Sequence, residues 1–261
     1  MSAVLPDAKL PEGFPPVDFE RDALFLDIDG TMIDIAPTPE SVVVPESLKL
    51  SLTRVREHLG GALAVVSGRT LSAIDELFAP VKYAAAGAHG AEIRVSPNGG
   101  VDRCAPILGV AEKATLAAIA KLDPRLRLED KVYTIAIHYR SAPELEQTVI
   151  DTVTKIVEEL KEEDLSVLCG KAVVEVKPRG FNKGTGLSHL MKHSPFAGRR
   201  PIFFGDDITD EDAMAALPQF GGLGISVGQH LTGAAGQVSS PADVRRWLAG
   251  LAGLNQASIH L

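Results

Sequence analysis

The sequence predicts an α/β fold in which a parallel β-sheet core is interrupted by an inserted α+β domain. From Ala23 onward, short apolar runs alternate with stretches of helical periodicity, which is the pattern of βα units around a parallel sheet. This alternation stops between residues 105 and 176, in a block that is too long to be a loop. The sequence therefore divides into a tail (1–21), a first core segment (22–104), the inserted domain (105–176) and a second core segment (177–261).

Length and composition indicate a globular protein with well-formed cores. The chain has 261 residues, of which 45% are hydrophobic and 23% are charged, so collagen, coiled coil and wholesale disorder are disfavoured. The 26 basic and 34 acidic residues give a formal net charge of −8. This balance predicts no nucleic acid and no membrane as a partner, and an anionic ligand must be held by local positive groups.

The start of the chain and its cysteines bear on location. Pro6, Pro11, Pro15 and Pro16 deny backbone donors to a helix or a central strand, so residues 1–21 are predicted to form a tail. This start has neither a basic leader nor an apolar stretch, and two cysteines cannot form a disulfide framework. Because no apolar run approaches the roughly 20 residues that span a bilayer, we expect a cytoplasmic protein.

Each core element is predicted by its own pattern. In the first core segment, strands are predicted at 23–27, 62–66, 83–86 and 91–95, and two helices at the stripes Leu48, Leu52, Val55, Leu59 and Leu71, Ile74, Leu77, Phe78. In the second, a helix with Leu187, Leu190 and Met191 precedes a strand at 201–205, a helix from about Asp210 and a strand at 222–227. The last helix is predicted to begin at Ser240 as N-cap with Pro241 in its first turn.

Two carboxylates follow directly after the first strand, in the run Asp27-Ile28-Asp29-Gly30-Thr31. Open α/β sheets bind ligands at the C-terminal ends of their strands. The spacing of Asp27 and Asp29 lets one carboxylate and a nearby backbone carbonyl share an Mg²⁺ ion, while Gly30 lets the backbone turn and present amides to an anion. A polar strand end followed by an Asp-Gly turn is the purely structural alternative.

Three further polar motifs occur in the core segments. The run 67–70 offers a serine hydroxyl and helix amides to phosphate oxygens, or serves only as a helix cap. Lys183 stands where the chain enters a helix, and either neutralises a carboxylate and a phosphate together or is solvated. The run 206–212 holds five carboxylates, which require a cation or the positive end of a helix beside them.

In their order along the chain and their placement at strand ends, these four motifs resemble those of the haloacid dehalogenase superfamily of Mg²⁺-dependent phosphotransferases. The resemblance implies a Rossmann-like sheet core with an inserted cap domain, and phosphoryl transfer through an aspartyl-phosphate intermediate. It implies Asp27 as the nucleophile, Asp29 as general acid and base, and Lys183 as the cation that grips the phosphoryl group. It further implies phosphate contacts from Thr31, Ser67, Gly68 and Arg69, and Mg²⁺ held by Asp27, Asp29 through its backbone carbonyl, Asp206 and Asp207, with Asp207 and Asp210 acting through water or orienting Lys183.

The inserted domain is predicted to present a polar sheet face. A helix is predicted from Glu144 to about Lys161, and the strand around Ile135 alternates so that His138 and Arg140 share a face. The same alternation groups Lys171, Val173, Glu175 and Lys177, and separates Glu129 from Lys131 by two positions. Such a face suits a ligand with many hydroxyls, although an ordinary solvent-facing sheet shows the same alternation.

Four segments of the chain resemble the trehalose-6-phosphate phosphatase family: 87–92, Glu129 with Lys131, 138–140 and 170–184. The resemblance implies a sugar phosphate substrate, trehalose 6-phosphate, and functional coupling to a trehalose-6-phosphate synthase. It also implies that the inserted domain closes as a lid, with hinges near 104–106 and 177–180. The implied sugar contacts are His89, Glu129, Lys131, His138, Arg140, Lys171 and Glu175.

Three alternatives stay open from the sequence. One is a phosphatase for another sugar phosphate, such as sucrose phosphate or a glucosyl or mannosyl phosphoglycerate. A phosphomutase, which returns the phosphoryl group to sugar, is the second. The third is a non-catalytic sugar-phosphate sensor, which the presence of both Asp27 and Asp29 disfavours.

Overall fold

The computed structural model of the chain describes residues 16–36, 41–160, 165–170 and 172–254. Lys171 and most of the predicted tail lie outside these ranges. The strands are Asp22–Leu26 (β1), Leu63–Val66 (β2), Ala84–Gly87 (β3), Glu92–Arg94 (β4), Asp102–Arg103 (β5), Arg127–Asp130 (β6), Ile135–His138 (β7), Leu165–Gly170 (β8), Val173–Pro178 (β9), Arg200–Gly205 (β10), Leu223–Val227 (β11) and Gly236–Val238 (β12). The α-helices are Glu46–His58 (α1), Leu71–Phe78 (α2), Val110–Ala117 (α3), Glu146–Glu159 (α4), Lys183–Leu190 (α5), Ile208–Ala216 (α6) and Pro241–Leu251 (α7).

The chain divides into two compact units. The first combines the chain up to Asp102 with the chain from Asn182 onward, and the second comprises Arg103–Phe181. β9 runs across the boundary predicted between residues 176 and 177 and continues the second unit beyond it. The second unit is therefore an insertion between two parts of the first.

The first unit is built on an eight-stranded sheet in the order β12-β11-β10-β1-β2-β3-β4-β5. The six strands from β12 to β3 pair in parallel, and β4 joins β3 antiparallel. β1 lies in the middle, with Leu24 beside Ile202 of β10 and Leu63 of β2. All five residues of β1 are buried, as expected of a parallel strand covered on both faces. The predicted α/β fold with a parallel sheet core is confirmed.

Amphipathic helices cover this sheet. α1 buries Leu48, Leu52 and Val55, as its stripe predicts, and α7 buries Val244, Trp247 and Leu248. Ser240 and Pro241 occupy the predicted positions at the start of α7, but the Ser240 hydroxyl donates to the Asp243 carboxylate, 3.0 Å away, instead of accepting from a backbone amide. Among the described residues, no helix is both long and apolar enough to cross a bilayer.

The second unit is a four-stranded antiparallel sheet in the order β6-β7-β9-β8, accompanied by α3 and α4. Its core contains Ile135 and Ile137 of β7 and Val174 and Val176 of β9, which are paired across the two strands. The helix predicted from Glu144 begins as a 3₁₀ turn over Pro143–Leu145, and α4 follows it. Because facing residues of an antiparallel pair share a face, Glu129 of β6, His138 of β7 and Glu175 of β9 lie together on the other side.

Candidate active site

The centre of the first unit's polar site is Asp27, the residue after β1. Its amide donates to the Phe204 carbonyl of β10 at 3.0 Å, so the sheet pairing continues as far as this residue. Asp27 is only 4% exposed. Since β1, β2 and β10 run in parallel, the residues that follow them meet at one edge of the sheet, as the sequence predicts.

Gly30 brings this loop against Asp206, the residue after β10. Gly30 has a φ of +85°, and a Cβ at this position would lie 2.1 Å from Oδ2 of Asp206. Only glycine fits, because it tolerates both the backbone conformation and the close approach. The Thr31 hydroxyl donates to Oδ1 of Asp206 at 3.3 Å. Thr31 is thus a partner of the Asp206 carboxylate in this structure.

Lys183 links two carboxylates from different strand ends. Its Nζ lies 2.9 Å from Oδ1 of Asp27 and 2.6 Å from Oδ1 of Asp210, and all three side chains are buried. Lys183 is the first residue of α5, which Asn182 caps through a reciprocal hydrogen-bonded pair with Thr185. The cap fixes where the helix begins and so places the lysine.

Asp210 organises the acidic run more tightly than the sequence suggests. One of its oxygens, Oδ2, accepts from the amides of Asp206 and Asp207, both at 3.0 Å, while the other accepts from Lys183. The Asp207 carboxylate instead accepts from the Ile208 amide at 2.7 Å, at the start of α6. Asp207 therefore serves in this structure as a helix cap, and the carboxylate that converges on Asp27 and Asp206 is that of Asp210.

Asp27, Asp206 and Asp210 each offer a carboxylate oxygen, and these three oxygens lie within 4.8 Å of one another. Burial raises the pKa of Asp27 to about 7, although Lys183 opposes this shift and Asp210 adds to it. Burial also raises the pKa of Asp210. Burial acts to lower the pKa of Lys183, but Asp210 and Asp27 outweigh it and hold that pKa above its usual value. Buried oxygens with more negative than positive charge fit a hard divalent cation.

Asp29 faces a different partner. Arg69 binds its carboxylate in a two-pronged ion pair, with Nε 2.6 Å from Oδ2 and Nη2 2.7 Å from Oδ1. The Asp29 side chain is more exposed than that of Asp27. Two parallel hydrogen bonds fix the plane of the carboxylate as well as its position. Arg69, predicted to contact phosphate, here orients the predicted general acid.

The run from Ser67 to Arg69 is supported by the segment after β3. Ser67 is buried, and its hydroxyl accepts from the Arg69 amide at 3.2 Å. The amides of Ala88 and His89 donate to the carbonyls of Arg69 and Ser67, at 2.7 and 3.0 Å. A Cβ on Gly68 would lie 2.6 Å from Nε2 of His89, so the glycine makes room for the buried His89 ring.

Glu92 is a contributor that sequence reasoning missed. Its Oε2 accepts from the Leu71 amide at 2.9 Å, at the first turn of α2. The carboxylate therefore ties β4 to the helix that follows Arg69. The run 87–92 drew attention to this segment, but nothing in its spacing indicates which amide the glutamate reaches.

The second unit brings four of the predicted sugar contacts onto one sheet face. Glu129 and Glu175 flank Ala136 across β6, β7 and β9. His138 Nε2 lies 2.9 Å from Glu129, and Lys131 Nζ lies 3.5 Å from Glu175. The hydrogen bond with His138, supported by Lys131, holds the pKa of Glu129 below its usual value. The face therefore places two carboxylates beside an imidazole and an ammonium group, a set of hydrogen-bonding groups that suits a hydroxyl-rich ligand.

Arg140, a predicted sugar contact, and Thr134, which was not predicted, differ from the four residues on this face. Arg140 is exposed and follows the end of β7 by two residues, so its direction is set by a turn rather than by the strand. Thr134, which the sequence did not single out, is fully buried and donates to the Glu175 carboxylate. A threonine at the base of a hairpin carries no pattern that indicates such a role.

Comparison with known proteins identifies the family of the chain. Residues 25–244 match the trehalose-phosphatase family. A probable trehalose-phosphate phosphatase of Sinorhizobium fredii (strain NBRC 101917 / NGR234) is 40% identical over 241 residues, covering 91% of this chain and 90% of the relative. The trehalose-6-phosphate phosphatase of Escherichia coli (strain K12) is 34% identical over 227 residues, covering 87% and 85%.

A solved structure extends the comparison to the fold. The C-terminal domain of C. albicans trehalose-6-phosphate phosphatase is similar with a TM-score of 0.80 at 22% identity, covering 90% of this chain and 93% of that one. The fold, the family match and the two relatives agree with one another. The chain belongs to the trehalose-phosphatase family.

Proposed function

We propose that the protein hydrolyses trehalose 6-phosphate to trehalose and inorganic phosphate, with Mg²⁺ as cofactor and a phosphorylated Asp27 as intermediate. The observation that carries the proposal is the buried Lys183 ammonium between Asp27 and Asp210, beside Asp206. Membership of the family supports the substrate.

The first chemical step uses Asp27 and Asp29. A carboxylate oxygen of Asp27 attacks phosphorus, a new oxygen–phosphorus bond forms, and the bond from phosphorus to the sugar oxygen breaks. Asp29 donates a proton to that sugar oxygen, because an alkoxide is a poor leaving group without an acid. Arg69 fixes the plane of the Asp29 carboxylate through both of its oxygens, and one of these two hydrogen bonds is released while Asp29 carries the proton that it donates.

The second step reverses the role of Asp29. A water molecule attacks the phosphorus of phospho-Asp27, and Asp29 accepts its proton. The bond between phosphorus and the Asp27 oxygen then breaks, which releases inorganic phosphate and restores the free carboxylate. Lys183 stays beside Asp27 in both steps, where its ammonium offsets the charge of the transferring group.

The donor set of the site fits Mg²⁺, which is bound by oxygen ligands. We propose Asp27, Asp206 and the backbone carbonyl of Asp29 as its ligands. Asp210 is assigned a positioning role, because both of its oxygens already accept hydrogen bonds, and Asp207 is assigned to the α6 cap. The cation supplies positive charge where a carboxylate meets a phosphate dianion.

Sugar recognition is assigned to the polar face of the second unit. We propose that Glu129, Lys131, His138 and Glu175 exchange their mutual contacts for hydrogen bonds to glucose hydroxyls, with Arg140 and Lys171 contributing and His89 contacting substrate from the first unit. The contacts on this face support the proposal, because they hold hydrogen-bond donors and acceptors side by side. A trehalose-6-phosphate synthase is the proposed source of the substrate, in the cytoplasm.

Phosphate release from a panel of sugar phosphates, with and without Mg²⁺, tests this function. We expect trehalose 6-phosphate to be hydrolysed with the highest kcat/KM and only when Mg²⁺ is present. Preference for sucrose phosphate or a glycosyl phosphoglycerate would reassign the substrate. Conversion of sugar phosphate without phosphate release would indicate a phosphomutase.

A further inference from the structure

We infer that Gln229 is a positioning residue that fixes the main chain of Asp206 and thereby sets the affinity of the site for Mg²⁺. The inference rests on the proposed function, because Asp206 is there assigned as a metal ligand. Gln229 lies in the loop after β11, which contributes no residue to the chemistry described above.

The loop returns the Gln229 side chain toward the end of β10. β11 ends at Val227, Gly228 follows with a φ of +75°, and the Gln229 amide donates back to the Val227 carbonyl at 2.9 Å. This hydrogen bond closes a three-residue γ-turn, which changes the direction of the chain at Gly228. The Gln229 side-chain amide then donates to the Asp206 carbonyl through Nε2 at 2.7 Å.

Asp206 is consequently held on both sides of its Cα. Its amide donates to Asp210, and its carbonyl accepts from Gln229. The carboxylate of Asp206 is also hydrogen-bonded by Thr31. Because the two main-chain bonds fix the peptide planes that flank Asp206, they restrict where its carboxylate can lie, and a metal site tolerates little displacement of a ligand.

The loop is anchored independently of Gln229. Leu231 is buried in the core of the first unit, and the Thr232 amide donates to Glu211 of α6 at 2.8 Å. The Ala235 amide donates to the Gly224 carbonyl of β11, also at 2.8 Å. Gln229 itself is an exposed residue. Its loss should therefore leave the loop in place and be felt at Asp206.

The test measures Mg²⁺ binding by titration calorimetry for two full-length proteins, the wild type and Gln229→Met. Methionine preserves the length of the side chain and removes the donor, so we expect the dissociation constant for Mg²⁺ to rise about five-fold, the effect of one lost hydrogen bond. At saturating Mg²⁺, kcat and the KM for the sugar phosphate should match those of the wild type. Gln229→Asn is a second variant, for the case in which methionine packs poorly at this position. Its side chain is one methylene too short to reach the Asp206 carbonyl, so its dissociation constant for Mg²⁺ should rise by a similar factor.

Gln237→Met is the matched control. Gln237 also donates to a backbone carbonyl, that of Gly228, in the same loop, but it does not reach Asp206, so its Mg²⁺ affinity should equal that of the wild type. An equal loss in this control, or wild-type affinity in both Gln229 variants, would overturn the inference. Asp206→Asn should abolish Mg²⁺ binding; if it binds as the wild type does, the proposed metal site is wrong.

Discussion

At the scale of single residues, the site depends on charged groups that are buried together. Asp27, Asp210 and Lys183 carry two negative charges and one positive charge when all are ionised, and all three are almost inaccessible to solvent. Removing a charge from water is costly unless a partner compensates it. The folded protein therefore retains an uncompensated carboxylate for which a divalent cation is the natural partner.

Replacement of this carboxylate gives a pH-dependent prediction for the metal-free protein. The pKa of Asp27 is raised from 3.8 to about 7 by burial, so the folded chain binds a proton there that the unfolded chain releases between those values. Stability contributed by the protonated group is thus fully present below about pH 4 and is lost as the pH rises toward 7. Asp27→Asn has no ionisable group at this position, so its stability does not fall over this pH range for this reason.

In calorimetry at pH 8 with a chelator present, Asp27→Asn should unfold at a higher temperature than the wild type. Its free energy of unfolding should be larger by on the order of a few kcal/mol. Near pH 4 the two proteins should unfold at similar temperatures, because the wild-type carboxyl is then neutral as well. Melting temperatures that differ by the same amount at every pH would contradict the prediction.

Residue identities were predicted from the sequence where a motif marks them, and missed where a long-range contact decides. Asp27, Lys183 and Asp206 each follow or begin an element that periodicity locates. The partners Glu92, Thr134 and Gln229 are placed by loops whose course depends on tertiary packing. Arg69 was assigned to phosphate from its neighbours, whereas its contact with Asp29 depends on two loops meeting.

At the scale of elements, the turn after β1 determines whether the metal ligands can converge. Gly30 combines a positive φ with a position where any Cβ would collide with Asp206. Gly30→Ala should lower the melting temperature, weaken Mg²⁺ binding by more than ten-fold and reduce kcat in proportion. Calorimetry and Mg²⁺ titration measure these effects.

Gly198→Ala separates the collision from backbone strain. Gly198 also has a positive φ, +79°, but nothing lies within 4 Å of where its Cβ would be. This variant should lose about 1 kcal/mol of stability from strain alone and keep its Mg²⁺ affinity. If both alanine variants lose stability equally and retain Mg²⁺ binding, the close approach of Gly30 to Asp206 is not important.

Element types were predicted well because buried parallel strands and amphipathic helices leave strong periodic patterns. β1, β2, β10 and β11 each lie within one or two residues of their expected bounds. The end of β7 was harder to place, because alternation continues through Tyr139 and Arg140 although β7 ends at His138, and the Tyr139 amide still donates to the Ala172 carbonyl at 3.1 Å. Hydrogen bonding with a neighbour, rather than local pattern, decides where a strand ends.

At the scale of the whole molecule, the two units have different proposed functions: phosphoryl transfer in the first and sugar recognition in the second. The first contains the proposed nucleophile, acid and cation ligands, and the second contains the alternating polar face. The insertion was predicted because the βα rhythm breaks and later resumes. The proposal that this unit binds sugar did not follow from alternation alone and came from resemblance to a family.

This division predicts that substitutions in the two units affect substrates differently. Arg140→Ala should raise the KM for trehalose 6-phosphate at least several-fold and leave turnover of a small aryl phosphate nearly unchanged, since an aryl group offers no sugar hydroxyls. Arg69→Ala, which releases Asp29, should instead lower kcat for trehalose 6-phosphate about ten-fold or more. Equal losses of Arg140→Ala on both substrates would show that Arg140 acts on folding or chemistry rather than on sugar recognition.

The most direct test of the account is to trap the phosphoryl group on Asp27. In Asp29→Asn, an aryl phosphate with a good leaving group needs no acid for the first step, whereas the second step lacks its base and should stall. Acid quenching followed by peptide mass spectrometry should then find one phosphoryl group per chain, on Asp27, and none when Asp27→Asn is added. A phosphoryl group on another residue, or none while phosphate is released at the wild-type rate, would contradict the account.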